Sequence, residues 1–178
     1  MELYLITGFL GAGKTTFLKN FARQFAGRRL RLIINEFGRA GVDGTLLREL
    51  DAALDEISNG SIFCACRLDQ FEAALEQAAA DAPDVALVEA SGLADPTNVR
   101  RVLAQFPAVS YQGSVCVADA ARLEKVFSTA RACPRQLAVS SLVLLNKTDL
   151  ATEAQCAEAK ALILRANPAA RIRRTQFG

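Results

Sequence analysis

The sequence predicts an α/β fold, a predominantly parallel sheet covered by helices on both faces, and three observations lead to this class. Short apolar runs such as "RLIIN" and "LVLLN" are bounded by turn formers or charges, which is typical of strands buried on both faces. Longer stretches between the runs carry apolar residues at helical spacing. Because the two kinds of segment alternate along the chain, strand–helix–strand crossovers are expected.

The elements follow in order along the chain. Five apolar runs are predicted to form strands, at residues 3–7, 31–35, 85–90, 114–119 and 142–146. Four amphipathic stretches are predicted to form helices, at residues 16–25, 68–80, 96–105 and 153–166. In a parallel sheet the ligand lies beyond the carboxyl ends of the strands. The residues that directly follow each apolar run are therefore the candidate functional residues.

Length and charge limit the number of domains and the classes of partner. The chain has 178 residues, 51% of them hydrophobic, which is enough for one well-filled core, so a single domain spanning residues 1–178 is expected. Its 21 basic and 19 acidic residues nearly cancel. The long-range field of a nucleic-acid or membrane-surface binder is absent, and neither kind of partner is expected.

Several features predict a soluble, cytoplasmic protein. The first residues lack a basic leader and a small-residue cleavage site, and no apolar stretch reaches the ~20 residues that a membrane span needs. The five cysteines are an odd number without a framework spacing, which indicates reduced thiols. Cys116, Cys133 and Cys156 stand in apolar surroundings and are expected to be packed in the core.

After the first predicted strand comes "GFLGAGKTT", which fits G-x-x-x-x-G-K-[ST] and leads into a helix. Its glycines let backbone N–H groups surround a phosphate closely. Lys14 is the candidate catalytic residue that neutralises the charge of the β- and γ-phosphates, and Thr15 ligates Mg²⁺. The fold class is therefore a P-loop NTPase. The candidate phosphate-binding residues are Gly8, Gly11, Ala12, Gly13, Lys14, Thr15 and Thr16.

The base is predicted by "NKTD", which directly follows the run "LVLL". The carboxylate of Asp149 can accept two hydrogen bonds from guanine, the amide of Asn146 can meet the O6 and N7 edge, and the stem of Lys147 packs on the base. Adenine has no donor at N1, and a buried unpaired carboxylate is costly, so GTP is expected to be preferred over ATP. In isolation the tetrapeptide would also suit a turn with a helix N-cap.

"VALVEASGLADP" ends another buried strand with Glu89. An acid there faces the Mg²⁺ ion and the γ-phosphate. It can hold a metal-bound water, or it can act as a catalytic residue that orients the attacking water. The N–H of Gly92 can contact the γ-phosphate. The same stretch also predicts a helix N-terminus with Asp95 as its cap before Pro96. The glycine-rich residues 35–47, with acids Glu36 and Asp43, predict a switch loop, or alternatively a passive connection.

Together these motifs resemble the CobW-like GTPases, a metallochaperone family related to the nickel-insertion GTPases. The resemblance covers nearly the whole chain, from "GFLGAGKTT" through "NEFG", "VEASGLADP" and "NKTDL" to the final "NPAARIRRTQFG". It implies a GTPase that couples hydrolysis of GTP to delivery of zinc or cobalt to a client metalloprotein or metal-requiring enzyme, with a GTP-dependent homodimer as a further expectation. The C-terminal domain that the family usually carries is expected to be absent from this chain.

The chain departs from this family at "NGSIFCACR". The family segment after Asn-Gly carries C-x-C-C, three metal-binding thiolates. Aligned on Asn59-Gly60, only Cys64 of this chain falls on a family cysteine; slid along the chain, Cys64 and Cys66 match the first two and Arg67 stands at the third. The two thiols are predicted to bind Zn²⁺ or Co²⁺ as an incomplete site, with Glu36 as a further ligand. Packed structural cysteines and a redox pair are the alternatives.

These patterns support more than one function. A GTP-hydrolysing metallochaperone or metalloenzyme-activation factor is the leading hypothesis. A GTP-dependent protein-binding switch without its own metal cargo is the alternative, and a P-loop small-molecule kinase is a third. The guanine motif disfavours the kinase, and metal-stimulated GTP turnover would distinguish the other two.

Overall fold

The computed structural model describes residues 1–35, 44–57 and 68–178. Within these ranges seven parallel strands form one sheet. The strands are β1 (Glu2–Thr7), β2 (Leu30–Ile34), β3 (Ala53–Glu56), β4 (Val85–Glu89), β5 (Ser110–Asp119), β6 (Leu142–Asn146) and β7 (Arg171–Arg174). Their order across the sheet is β3-β2-β4-β1-β5-β6-β7. Every neighbouring pair is parallel, as predicted.

Helices connect the strands. They are α1 (Lys14–Ala22), α2 (Gly44–Leu50), α3 (Leu68–Asp81), α4 (Val99–Leu103), α5 (Leu123–Thr129), α6 (Ala132–Ala138) and α7 (Glu153–Ala166). Short 3-10 turns at Arg23–Phe25, Pro96–Asn98 and Thr148–Leu150 extend or precede them. Among the helices of the described ranges, none has both the length and the apolar character that crossing a bilayer requires.

The core lies in two layers, one on each face of the sheet. On one face α1 and α2 bury Leu18 and Leu50 against side chains such as Leu32 and Leu87. On the other face α3 and α4 pack over β1 and β4, while α5, α6 and α7 pack over β5 and β6. Helices on both faces agree with the predicted class, because strands covered on both sides must be apolar on both sides.

The predicted elements differ from the observed ones at their ends. Helix α1 begins at Lys14, two residues earlier than predicted, and its α-helical part ends at Ala22 before a 3-10 turn. The predicted helix at residues 96–105 is a 3-10 turn followed by α4, with Asp95 accepting a hydrogen bond from the Thr97 N–H as the predicted cap. Helix α7 has the predicted bounds, and a capping box formed by Thr152 and Gln155 explains its sharp start.

Candidate nucleotide-binding site

Central strand β1 positions the P-loop. Because β1 lies between β4 and β5, the loop that leaves its carboxyl end meets the ends of strands on both sides, where α/β sheets bind ligands. Helix α1 begins at Lys14, which is buried, with its Nζ atom 3.4 Å from the carbonyl oxygen of Phe9. The P-loop thus has its lysine folded across its own backbone, next to a helix N-terminus that favours anions.

A cleft of about 310 Å³ lies between the P-loop and the carboxyl end of β4. Its walls include Lys14, Thr15, Glu89 and Gly92, four of the residues predicted from the sequence. The hydroxyl of Thr15 donates a hydrogen bond to Oε1 of Glu89 at 3.0 Å, and Glu89 is buried. Hydroxyl and carboxylate oxygens are the ligands that Mg²⁺ prefers, so this pair fits the ion that the P-loop motif predicts.

The base loop, residues 146–149, begins where β6 ends, and hydrogen bonds join it to the P-loop. Nδ2 of Asn146 donates to the carbonyl oxygen of Ala12 at 2.9 Å, and Nζ of Lys147 donates to that of Gly11 at 2.6 Å. Lys147 has a φ of 59°, a left-handed conformation uncommon for lysine. These bonds fix the base loop relative to the loop predicted to hold phosphate.

Asp119, at the end of β5, completes this arrangement. Its Oδ2 atom accepts from Nζ of Lys147 at 2.9 Å, and its Oδ1 atom accepts from the N–H of Ala121 at 3.1 Å. The lysine is therefore held at two points, by a carboxylate and by the carbonyl of Gly11. Sequence reasoning did not identify Asp119, although its position directly after an apolar run was a usable signal.

A second cleft, of about 230 Å³, lies beside the base loop. Its lining shares Gly13 and Thr16 with the phosphate cleft and adds the exposed Asp149. Leu150 and Phe177 also line it, and these are among the most exposed large apolar side chains of the described residues, at 70% and 72%. The two clefts therefore adjoin, one at the P-loop and the other at the base loop.

The last residues of the chain form part of this second cleft, which sequence reasoning missed. Oδ1 of Asn146 accepts from the hydroxyl of Thr175 at 2.8 Å and from the N–H of Gly178 at 3.1 Å. Gln176 and Phe177 between them reach the cleft. The amide of Asn146, which the sequence assigned to the base edge, thus also joins the P-loop to the end of the chain.

The predicted thiol site cannot be located, since its residues are outside the described ranges. Cys64, Cys66, Glu36 and the predicted switch-loop acid Asp43 lie outside the described residues. Within residues 1–35, 44–57 and 68–178, no group of three or more Cys, Asp or Glu side chains is placed to hold a metal ion. The other three cysteines are buried free thiols, as predicted.

Comparison with known proteins adds independent findings. A family model described as CobW/HypB/UreG, nucleotide-binding domain, matches residues 2–174. The zinc chaperone CobW of Pseudomonas aeruginosa is 32% identical over 206 residues, covering 96% of this chain and 55% of that protein. The zinc chaperone YjiA of Escherichia coli is 29% identical over 161 residues, covering 85% of this chain and 50% of that protein.

The crystal structure of Zn(II)-bound YjiA GTPase has the same fold, with a TM-score of 0.72 at 23% identity over 97% of this chain and 57% of that one. The chain spans about half the length of the curated relatives it matches.

Proposed function

This chain belongs to the CobW/HypB/UreG family of nucleotide-binding domains, and on that premise we propose that it hydrolyses GTP to GDP and phosphate in the cytoplasm and couples hydrolysis to transfer of a divalent metal to a client protein. The observation that supports this proposal best is the bonding of the base loop to the P-loop, from Asn146 to Ala12 and from Lys147 to Gly11. These hydrogen bonds hold the segment predicted to read guanine against the loop predicted to bind phosphate, which supports one continuous nucleotide site.

The phosphate cleft supplies the hydrolytic part of the proposal. Lys14 neutralises charge on the β- and γ-phosphates, and the backbone N–H groups of the P-loop bind their oxygens. Thr15 would hold Mg²⁺ directly and Glu89 would reach it only through a bound water; the ion when bound stabilises the charge that develops on the transferred phosphoryl group. Glu89, buried at the cleft wall, orients the attacking water.

The second cleft supplies base selectivity. Asp149 accepts two hydrogen bonds from the guanine N1–H and exocyclic amine, while Lys147, held by Asp119 and Gly11, packs its stem along the base. Adenine leaves the carboxylate without these donors. We expect GTP to bind at least about a hundredfold more tightly than ATP, measured by calorimetric titration in Mg²⁺. Comparable affinities would refute the guanine assignment.

The cargo part of the proposal rests on the family and on two thiols. The relatives named above are zinc chaperones. Cys64 and Cys66 stand two residues apart in the sequence, the spacing at which side chains of an extended chain point the same way. We propose that they bind Zn²⁺ or Co²⁺ weakly, with Glu36, a client or a second subunit completing the ligand set. An incomplete site suits a carrier that must release its ion.

Cobalt absorption tests the cargo site. Reduced protein with added Co²⁺ is expected to show a thiolate-to-cobalt charge-transfer band that is lost in Cys64→Ser and in Cys66→Ser. Cys156→Ser is the matched control, because that thiol lies on the buried face of α7 in the core and its loss should leave the band unchanged. If no band forms and added metal does not change the rate of GTP turnover, a GTP-dependent binding switch without metal cargo explains the results better than a metallochaperone.

A further inference from the structure

One buried side chain of α6 holds the loop that follows β4. Gln136 is 1% exposed, and its Nε2 atom donates to the carbonyl oxygen of Gly92 at 3.1 Å and to that of Ala94 at 2.9 Å. These residues precede Gln136 in the chain by 44 and 42 positions. A side-chain amide has two N–H groups, so both donors are used on this one loop.

The held segment is a closed turn. The N–H of Ala94 donates to the carbonyl oxygen of Ser91 at 3.0 Å, which makes residues 91–94 a hydrogen-bonded turn. Arg135, the neighbour of Gln136, forms an ion pair with Asp95 immediately after this turn. Helix α6 therefore fixes both the turn and Asp95, the residue that follows it.

The other side of the turn contacts the P-loop. A Cβ atom at Gly92 would lie 2.6 Å from the backbone nitrogen of Leu10, so a side chain at this position would collide with the P-loop backbone. Ser91 and Gly92 also line the phosphate cleft. The turn is thus confined between the P-loop and Gln136, and a shift of either would move Gly92 within the cleft.

We infer that Gln136 is a positioning residue for the γ-phosphate, because it holds the turn at residues 91–94 where the N–H of Gly92 meets that group. The inference rests on the proposed function. GDP has no γ-phosphate, so displacement of the turn weakens the binding and hydrolysis of GTP while GDP binding stays unchanged. This selectivity separates positioning from a structural role, which would affect both nucleotides alike.

The test is Gln136→Met, which keeps the side-chain length and removes both donors. Affinities for GDP and for a non-hydrolysable GTP analogue, and the single-turnover hydrolysis rate, are measured for parent and variant. We expect analogue affinity and rate to fall about tenfold, the equivalent of one hydrogen bond, and GDP affinity to stay within about twofold.

Asn167→Leu is the matched control. Nδ2 of Asn167 also donates to two backbone carbonyls, those of Leu137 at 3.1 Å and Ser140 at 2.8 Å, at the C-terminal end of α6 and just beyond it, and neither bond involves the turn at residues 91–94. This variant should preserve the parental ratio of GTP-analogue to GDP affinity. The same selective loss in Asn167→Leu as in Gln136→Met would overturn the inference.

Other outcomes are equally decisive. Parental GTP binding and hydrolysis in Gln136→Met, or equal losses for GDP and the analogue, overturn the inference and leave the proposed function intact. If the parent itself neither binds nor hydrolyses GTP, the proposed function fails and the inference with it. If Gln136→Met does not fold, Gln136→Asn replaces it, since a side chain one methylene shorter cannot hold both carbonyls; a selective loss of GTP binding supports the inference, and none overturns it.

Discussion

The contact between the P-loop and the base loop predicts a large cost for the substitution Gly13→Ala. Gly13 has a φ of 106°, and a Cβ atom there would lie 2.5 Å from Nδ2 of Asn146. Two penalties add. Left-handed backbone strain in alanine costs about 1–2 kcal/mol, and displacing the buried Asn146 amide from its hydrogen bonds costs about 1–3 kcal/mol.

Comparison of Gly13→Ala with Gly27→Ala isolates the second penalty, the displacement of the Asn146 amide. Gly27 has a φ of 83°, but among the residues that the structure describes, apart from Gly27 and its two chain neighbours, none has a heavy atom within 4 Å of a Cβ atom placed there. This variant therefore carries the backbone strain without the collision. The expected difference in free energy of unfolding between the two variants is about 1–3 kcal/mol, or about 2–12 °C in melting temperature for a chain of this length.

Urea unfolding followed by circular dichroism, without nucleotide, measures both variants directly. Nucleotide is left out because ligand binding to the folded state would add its own stabilisation. If Gly13→Ala and Gly27→Ala lose the same stability, Asn146 does not constrain the P-loop and the reasoning is wrong. If only Gly13→Ala shows the additional loss, the contact between the two loops carries it.

Three other predictions concern the site and the core. Glu89→Ala should bind GTP at close to parental affinity and hydrolyse it about a hundredfold more slowly, because an acid that orients water acts mainly at the transition state; a parental single-turnover rate would refute that role. Asp149→Asn should shift base preference from guanine to xanthine nucleotides in a competition titration, and an unchanged preference would exclude Asp149 from base reading. Burial raises the pKa of the Cys133 thiol to about 11 and that of Cys116 further still. Both thiols should therefore resist iodoacetamide at pH 8 in folded protein, as peptide mass mapping would reveal, and their contribution to stability should decline from pH 9 upward as the unfolded thiols ionise.

The central strands could be predicted from the sequence, but the edge strands could not. Residues 85–88 and 142–145 are continuous apolar runs because their strands are covered on both faces. The outer strands β3, "ALDE", and β7, "RIRR", face solvent and carry charge, so they lack this signal. Helices α5 and α6 are short, with seven residues each, and gave too few turns for a periodicity to stand out.

The grouping of the candidate site residues could be predicted where local motifs mark them. Lys14, Thr15 and Asn146 stand in motifs whose spacing suits a nucleotide, and strand ends of a parallel sheet meet at one edge. Asp119 and Gln136 have no such motif, because their roles depend on partners 28 to 44 residues away. Contacts of that kind exist only once the strands and helices have packed.

The bonds that join the base loop to the P-loop also determine when the site can exist during folding. They link residues 134 and 136 positions apart, and Asn146 is further tied to Gly178 at the end of the chain. Contacts between distant residues form late, because the entropy of closing a long loop must be met before they stabilise anything. A nucleotide that binds across both loops is therefore expected to act after the rate-limiting step of folding: it should slow unfolding and leave the rate of folding nearly unchanged.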